Sequence, residues 1–262
     1  MPYATLSLEY DKRAATLTFN RPEKRNAISP EMIAELMRAL DEAEPSAARV
    51  VILTGAGKAF CSGMDLEVLQ AMATQTPSLD VARESSRAMA GLFRRLYEYP
   101  KPLIAAVNGP AIAGGTGIAT LCDFTLAVPE AKFGYTEARI GFIPALVSVF
   151  LIRQIGEKRA RDLLLAGRIF GAEEARALGL VNEVVAAEKL MDRARELAAQ
   201  LIENSPTSLA RTKKLIRALS EPNLDRELGL AIEANASIRS TADFREGLTS
   251  FLEKRKPDWS GE

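Results

Sequence analysis

The chain has 262 residues, 47% of them hydrophobic and 26% charged, with Lys plus Arg and Asp plus Glu balanced at 34 each. That is enough apolar material for a full core, and a formal net charge of zero offers no electrostatic footprint for nucleic acid. Histidine is absent, which excludes Ser-His-Asp and Cys-His machinery and any histidine-ligated metal, and leaves acid–base work to Glu, Asp, Lys, Tyr or Cys.

In chain order, residues 6–10 and 14–19 alternate around Asp11-Lys12-Arg13 and predict a hairpin. Residues 21–27 read as a polar loop. Ser29 and Pro30 mark a helix start, with Ser as N-cap and Pro in the first turn; Met32, Leu36 and Leu40 follow at helical spacing up to Pro45. The β-branched run 50–54 reads as a buried strand and leads into the glycine-rich stretch 55–66. Residues 71–77 are small and polar and predict a mobile loop. A helix is expected over 80–99, with Met89, Leu92, Phe93 and Leu96 as its apolar face. Residues 103–107 form a second buried run. It leads into Asn108-Gly-Pro-Ala-Ile-Ala-Gly-Gly-Thr-Gly117 and a short helix through Leu121.

Short strands are predicted at 124–128 and 132–133. From Val147 the pattern is mostly helical, interrupted by a strand at 181–185, with helices over 171–179, 187–203, 207–219, 224–240 and 241–255. Strand–helix alternation in the first two thirds predicts an α/β fold. The helical last quarter predicts an appendage or oligomerisation surface, with a division into 1–200 and 201–262. Cys61 and Cys122 lie far apart in apolar surroundings with no C-x-x-C, and the first residues show no signal-peptide pattern. No stretch of about 18 apolar residues occurs. These features predict a reduced, cytoplasmic protein that engages neither membrane nor nucleic acid.

The chemistry concentrates in the two glycine-rich stretches and around Glu137. A strand that turns through glycines into a helix leaves backbone N–H groups unpaired, and two such turns side by side can aim two of them at one oxygen. A dinucleotide fingerprint is rejected because Phe60 stands where the third glycine belongs. A phosphate-cradling loop is rejected because Ala59 follows Gly57-Lys58 and position 52 is Ile52. Ser62 has no histidine to activate its hydroxyl, so its backbone N–H is the more useful group. Glu137 sits between apolar runs, where burial raises a carboxyl pKa and suits proton transfer. A pairing of Glu137 with Arg139 on a solvated loop is the alternative.

Together with Asn20-Arg-Pro-Glu-Lys-Arg-Asn-Ala27, Leu121-Cys-Asp123, 133–144, Leu165-Ala-Gly-Arg168, 175–182 and 251–255, these motifs resemble the crotonase superfamily, the enoyl-CoA hydratase/isomerase family, over roughly residues 6–257. The resemblance implies a spiral of ββα units with a helical C-terminal trimerisation region. It implies a homotrimer or dimer of trimers, and acyl-CoA thioester substrates held as an enolate. No cofactor is implied, coenzyme A entering as part of the substrate. It places the two oxyanion donors on the backbone N–H groups of Ser62 and Gly114, with Gly114 at a helix start. Ser62, Gly63, Met64, Asp65 and Leu66 would line the thioester and pantetheine. Lys24, Asn26 and Ala27 would lie beside the CoA nucleotide, and Lys254 would reach a phosphate from a neighbouring subunit.

Two-carboxylate hydratases of the family carry a Glu where this chain has Gly117, a position counted with the substrate-binding residues. A lone Glu137 favours Δ3,Δ2-enoyl-CoA isomerisation. Hydration of trans-2-enoyl-CoA by Glu137, with Tyr135 or Asp65 as a second group, is the alternative. A non-catalytic acyl-CoA-binding member and other thioester chemistry complete the set. Met64, Leu66, Leu69, residues 71–77 and the helix after Pro144 are expected to line the acyl pocket and to favour an apolar chain.

Overall fold

The computed structural model describes residues 2–75, 77–220 and 223–261. β1 (Leu6–Asp11) and β2 (Ala14–Phe19) form the predicted antiparallel hairpin, and Ala15, Leu17 and Phe19 are its fully buried side. α1 (Pro30–Ala43) starts where the sequence says: Met32 N–H donates to Ser29 Oγ, and Pro30 opens the first turn. β3 (Val50–Gly55) pairs parallel with β2. α2 (Leu66–Thr74) and α3 (Leu79–Glu98) follow, then β4 (Leu103–Val107), β5 (Ala111–Ile112) and α4 (Gly114–Leu121).

β6 (Phe124–Ala127) and β7 (Lys132–Gly134) precede α5 (Ala145–Ile155), α6 (Glu157–Ala166), β8 (Ile169–Gly171), α7 (Ala172–Ala177) and β9 (Glu183–Val184). The larger sheet runs β1-β2-β3-β4-β6-β9, parallel from β2 onward, and the smaller runs β5-β7-β8. β4 is buried along its whole length and β3 along all but its last residue. That is why both read as continuous apolar runs rather than alternating ones.

α8 (Leu190–Ile202) packs across β3, β4 and β6, and α9 (Pro206–Ser220), α10 (Leu224–Ser237) and α11 (Ala242–Leu252) close the chain. α10 lies along α3 and α5. α11 rests on α2 and on the 3₁₀ turn Glu137–Ile140. The C-terminal helices therefore wall in a cavity of their own chain.

One predicted loop is corrected. Residues 71–74 continue α2, because Asp65 caps that helix and Leu69 and Met72 pack onto Phe142 and Phe244; good helix formers in that run favour the same outcome. Thr76 lies outside the described residues. The strand expected over 181–185 shortens to Glu183–Val184. No helix among the described residues is long and apolar enough to cross a membrane, and no cluster of His, Cys, Asp or Glu among them could hold a metal ion.

Candidate active site

The two glycine-rich turns lie side by side, as their sequences suggest. Phe60 and Cys61 N–H both donate to Pro110 O (3.1 Å each), and Ile112 N–H donates to Cys61 O at 2.9 Å. Only glycine allows this approach: a Cβ on Gly115 would stand 2.3 Å from Cys61 O. Ala113, at φ 51° and ψ −121°, holds a backbone shape that a side chain disfavours. Its N–H donates to Gly134 O (2.7 Å), while Thr116 Oγ1 donates to Ala111 O (2.6 Å). The strained residue aims the start of α4, and Gly114 N–H, the first in that helix, has no acceptor among the described residues.

The other donor is not the one the sequence suggested. Ser62 N–H donates to Arg25 O at 3.1 Å and is already used. Ile28 N–H donates to Gly63 O (2.7 Å) and Asp65 N–H to Ile28 O (2.9 Å), a parallel bridge that brackets Met64. In extended chain successive N–H groups alternate in direction, so Met64 N–H faces away from Ile28. It finds no acceptor among the described residues. Met64 and Gly114 both line one cavity of about 970 Å³.

Glu137 lines the same cavity. β7 delivers it to the first position of the 3₁₀ turn, which Gly141 closes at φ 65°. The residue as a whole is half-buried, yet its Oε2 is out of reach of solvent and has no hydrogen-bond partner. Burial pushes its pKa up to about 7. It makes no ion pair with Arg139, whose side chain lies against Gly167.

The remaining predicted residues divide. Ala27, Gly63, Asp65 and Leu66 line the cavity, as does Lys24, whose Nζ is 2.5 Å from Glu67 Oε1. Asn26 does not line it. That side chain is fully buried, accepts from Arg21 N–H (2.9 Å) and donates to Ala56 O (3.0 Å) and Ala59 O (2.8 Å), so it braces the loop against the first glycine turn. Lys254 also lies outside the lining. The neighbouring cation, Arg255, lines it instead, paired with Glu246 (2.5 Å) and Glu253 (2.6 Å).

Gly117 is likewise removed from the wall: a Cβ there would meet Phe93 Cζ and Val147 Cγ1 at 2.8 Å each, and those two apolar side chains face the cavity in its place. Neither suggested second acid–base group is placed to serve. Tyr135 is buried near Thr120 (3.4 Å between hydroxyls), outside the cavity lining. Asp65 accepts from Glu67 N–H (2.9 Å) and pairs with Arg21 at 2.8 Å. Burial pushes the Cys61 thiol up to about 12, which removes it as a nucleophile. Leu69, Met72 and the start of α5 line the same cavity. Arg239, also in the lining, has no counterpart in the sequence reading.

The chain as a whole is similar to known proteins in sequence and fold. A family model described as enoyl-CoA hydratase/isomerase matches residues 9–262. A Thermus thermophilus protein, named provisionally as an enoyl-CoA hydratase, is 49% identical over 93% of this chain and 96% of its own. The 1,2-epoxyphenylacetyl-CoA isomerase of Escherichia coli is 36% identical over 96% of each. The crystal structure of an enoyl-CoA hydratase/isomerase from Xanthobacter autotrophicus superposes with a TM-score of 0.88 at 32% identity, covering 97% of this chain and 98% of the other.

Proposed function

The chain belongs to the enoyl-CoA hydratase/isomerase family and is an enzyme of that family; from that premise we propose that it shifts the double bond of an enoyl-CoA thioester, with Glu137 as the sole acid–base group. The thioester oxygen accepts from Gly114 N–H and Met64 N–H. Glu137, as carboxylate, takes a proton from C2 of a 3-enoyl thioester. The electron pair delocalises over the thioester oxygen and C4, and the same carboxyl returns the proton to C4, giving the trans-2-enoyl thioester. A pKa near 7 suits a group that must take and return a proton at neutral pH. Each backbone donor contributes about 10²–10³ in rate.

The observation that carries this reading is position 117. The space a second carboxylate would need at position 117 is filled by Phe93 and Val147, so α4 brings no carboxyl to face Glu137. Lys24, Ala27 and Arg255 would border the CoA moiety. Assembly as a homotrimer or dimer of trimers belongs to the same reading and is supported by the exposed Leu215, Ile216 and Leu219 of α9; sedimentation checks it.

A second reading is hydration of trans-2-enoyl-CoA with Glu137 acting alone on water, favoured by the name of the 49%-identical relative. It carries a penalty of about 10²–10⁴ for the missing group. Purified enzyme given matched trans-2- and trans-3-enoyl-CoA separates the two. Fast migration with slow hydration supports the isomerase, and loss of both in Glu137→Gln with thioester affinity retained supports the assignment of the base. Full activity in that variant would sink it.

A further inference from the structure

The cavity holds a charge that the protein leaves unanswered. After α10 the chain makes a 3₁₀ turn over Ile238–Ser240, and this turns Arg239 inward until only 4% of it is exposed. Its guanidinium carbon lies 5.5 Å from the centre of the Phe142 ring. Nη2 donates to Asn235 Oδ1 (3.1 Å) and Ser86 Oγ (3.4 Å), both neutral. Nε is buried without an acceptor, and Nη1 donates to no group among the described residues.

The acids on the adjoining helices are committed elsewhere. Glu233 pairs with Arg83, Glu246 with Arg255, and Asp243 accepts from Ser260 and Gly261 N–H. Burial lowers the Arg239 pKa with no carboxylate opposing it, yet a guanidinium stays charged at any physiological pH. The other cations along the cavity, Lys24, Arg25, Arg139 and Arg255, are exposed or half-exposed, so water solvates them. Arg239 instead lies against Phe142, whose ring clusters with Leu69 and Phe244.

A buried cation without a counter-charge is costly, and an anion supplied by a ligand would offset that cost. Phe142 N–H donates to Glu137 O at 3.0 Å, so the ring under the guanidinium belongs to the same turn as the base. We propose that Arg239 receives a carboxylate at the far end of the acyl chain, so that the substrates are CoA monothioesters of unsaturated dicarboxylic acids. A planar carboxylate matches the guanidinium donors left open. This replaces the purely apolar acyl chain expected from the sequence, and it rests on the reading of the cavity as an enoyl-CoA site.

The test compares 2- and 3-enoyl-CoA thioesters of four to eight carbons ending in a carboxylate with chain-matched thioesters ending in methyl. Wild-type kcat/KM should favour the carboxylate at one chain length by about 10- to 100-fold, the range of a charge-assisted hydrogen bond. Arg239→Met should collapse that ratio, and Arg239→Lys should keep part of it. Binding of the saturated pair, adipoyl-CoA against hexanoyl-CoA and their longer and shorter homologues, to wild-type enzyme decides the matter without any variant. Turnover of neither series, with carboxylate-ended thioesters still bound more tightly, would refute double-bond chemistry and leave this inference standing. Equal turnover and equal binding of the two series by wild type would overturn it.

Discussion

Replacing Glu137 by Gln should make the protein more stable at alkaline pH while removing its activity. The folded carboxyl has a pKa near 7 against an ordinary 4.5, with burial as the main cause. Between those values the native state holds a proton that the unfolded chain has released. By linkage, this group therefore makes stability fall as pH rises from about 4.5 to about 7, and the contribution is level on either side. The full difference corresponds to about 3 kcal/mol, an upper value because water entering the cavity solvates the anion. Gln is close in shape to the protonated acid and never ionises. Wild type and variant should therefore match near pH 4.5 and diverge above it, the variant melting about 6–10 °C higher at about pH 8.5 for a chain of this length. Thermal denaturation of both proteins at equal concentration across that range measures this. A difference independent of pH would refute the claim that the protein holds this carboxyl in a destabilising site.

Other substitutions test other parts of the site. Gly117→Ala should cost about 1–3 kcal/mol, since its Cβ would overlap Phe93 and Val147. Gly117→Glu should destabilise at least as much and bring no gain in hydration, and a rise in 3-hydroxyacyl-CoA formation would contradict the apolar wall. Met64→Pro removes the unpaired N–H and should lower kcat by about 10²–10³, whereas Ser62→Ala should leave kcat near wild type because that hydroxyl has no part in the scheme. Ala113→Gly relaxes the strained backbone and should raise stability by up to about 1 kcal/mol in a denaturant titration. Burial alone would raise the pKa of Glu35, but hydrogen bonds from Ala4 and Thr5 outweigh it and hold the carboxyl below its usual range. Glu35→Gln should therefore cost about 1–3 kcal/mol at neutral pH, a deficit that shrinks as acid protonates the wild-type group.

The fold was readable wherever a local rule decides it. Ser29 and Pro30 announced α1, the buried runs announced β3 and β4, and the glycine-rich stretch after β4 announced the turn into α4. Of the site, the sequence pointed to Glu137 and to the start of α4 at Gly114. Glu137 between apolar neighbours is a local pattern, and its burial follows.

What depended on long-range pairing was not readable. Whether Ser62 or Met64 keeps a free N–H depends on which residue Arg25 and Ile28 choose as partners, and the chain near Ser62 carries no mark of it. The family resemblance placed Asn26 beside the CoA nucleotide, yet its three hydrogen bonds go to backbone, one to Arg21 in its own loop and two across to Ala56 and Ala59. Arg239 gave no signal because its meaning lies in the acids that are not beside it. That can be seen only once α3, α10 and α11 are packed together.

The central claim is that one carboxyl carries one proton between two carbons of the acyl chain. The most direct measurement uses a 3-enoyl-CoA deuterated at C2, turned over in ¹⁸O-labelled water, with product analysed by mass spectrometry and NMR. The account predicts trans-2-enoyl-CoA with deuterium delivered to C4 and no ¹⁸O. Unchanged 3-enoyl-CoA, with trans-2-enoyl-CoA under the same conditions converted to a 3-hydroxyacyl product carrying ¹⁸O at C3, would contradict it and make the enzyme a hydratase that manages with Glu137 alone.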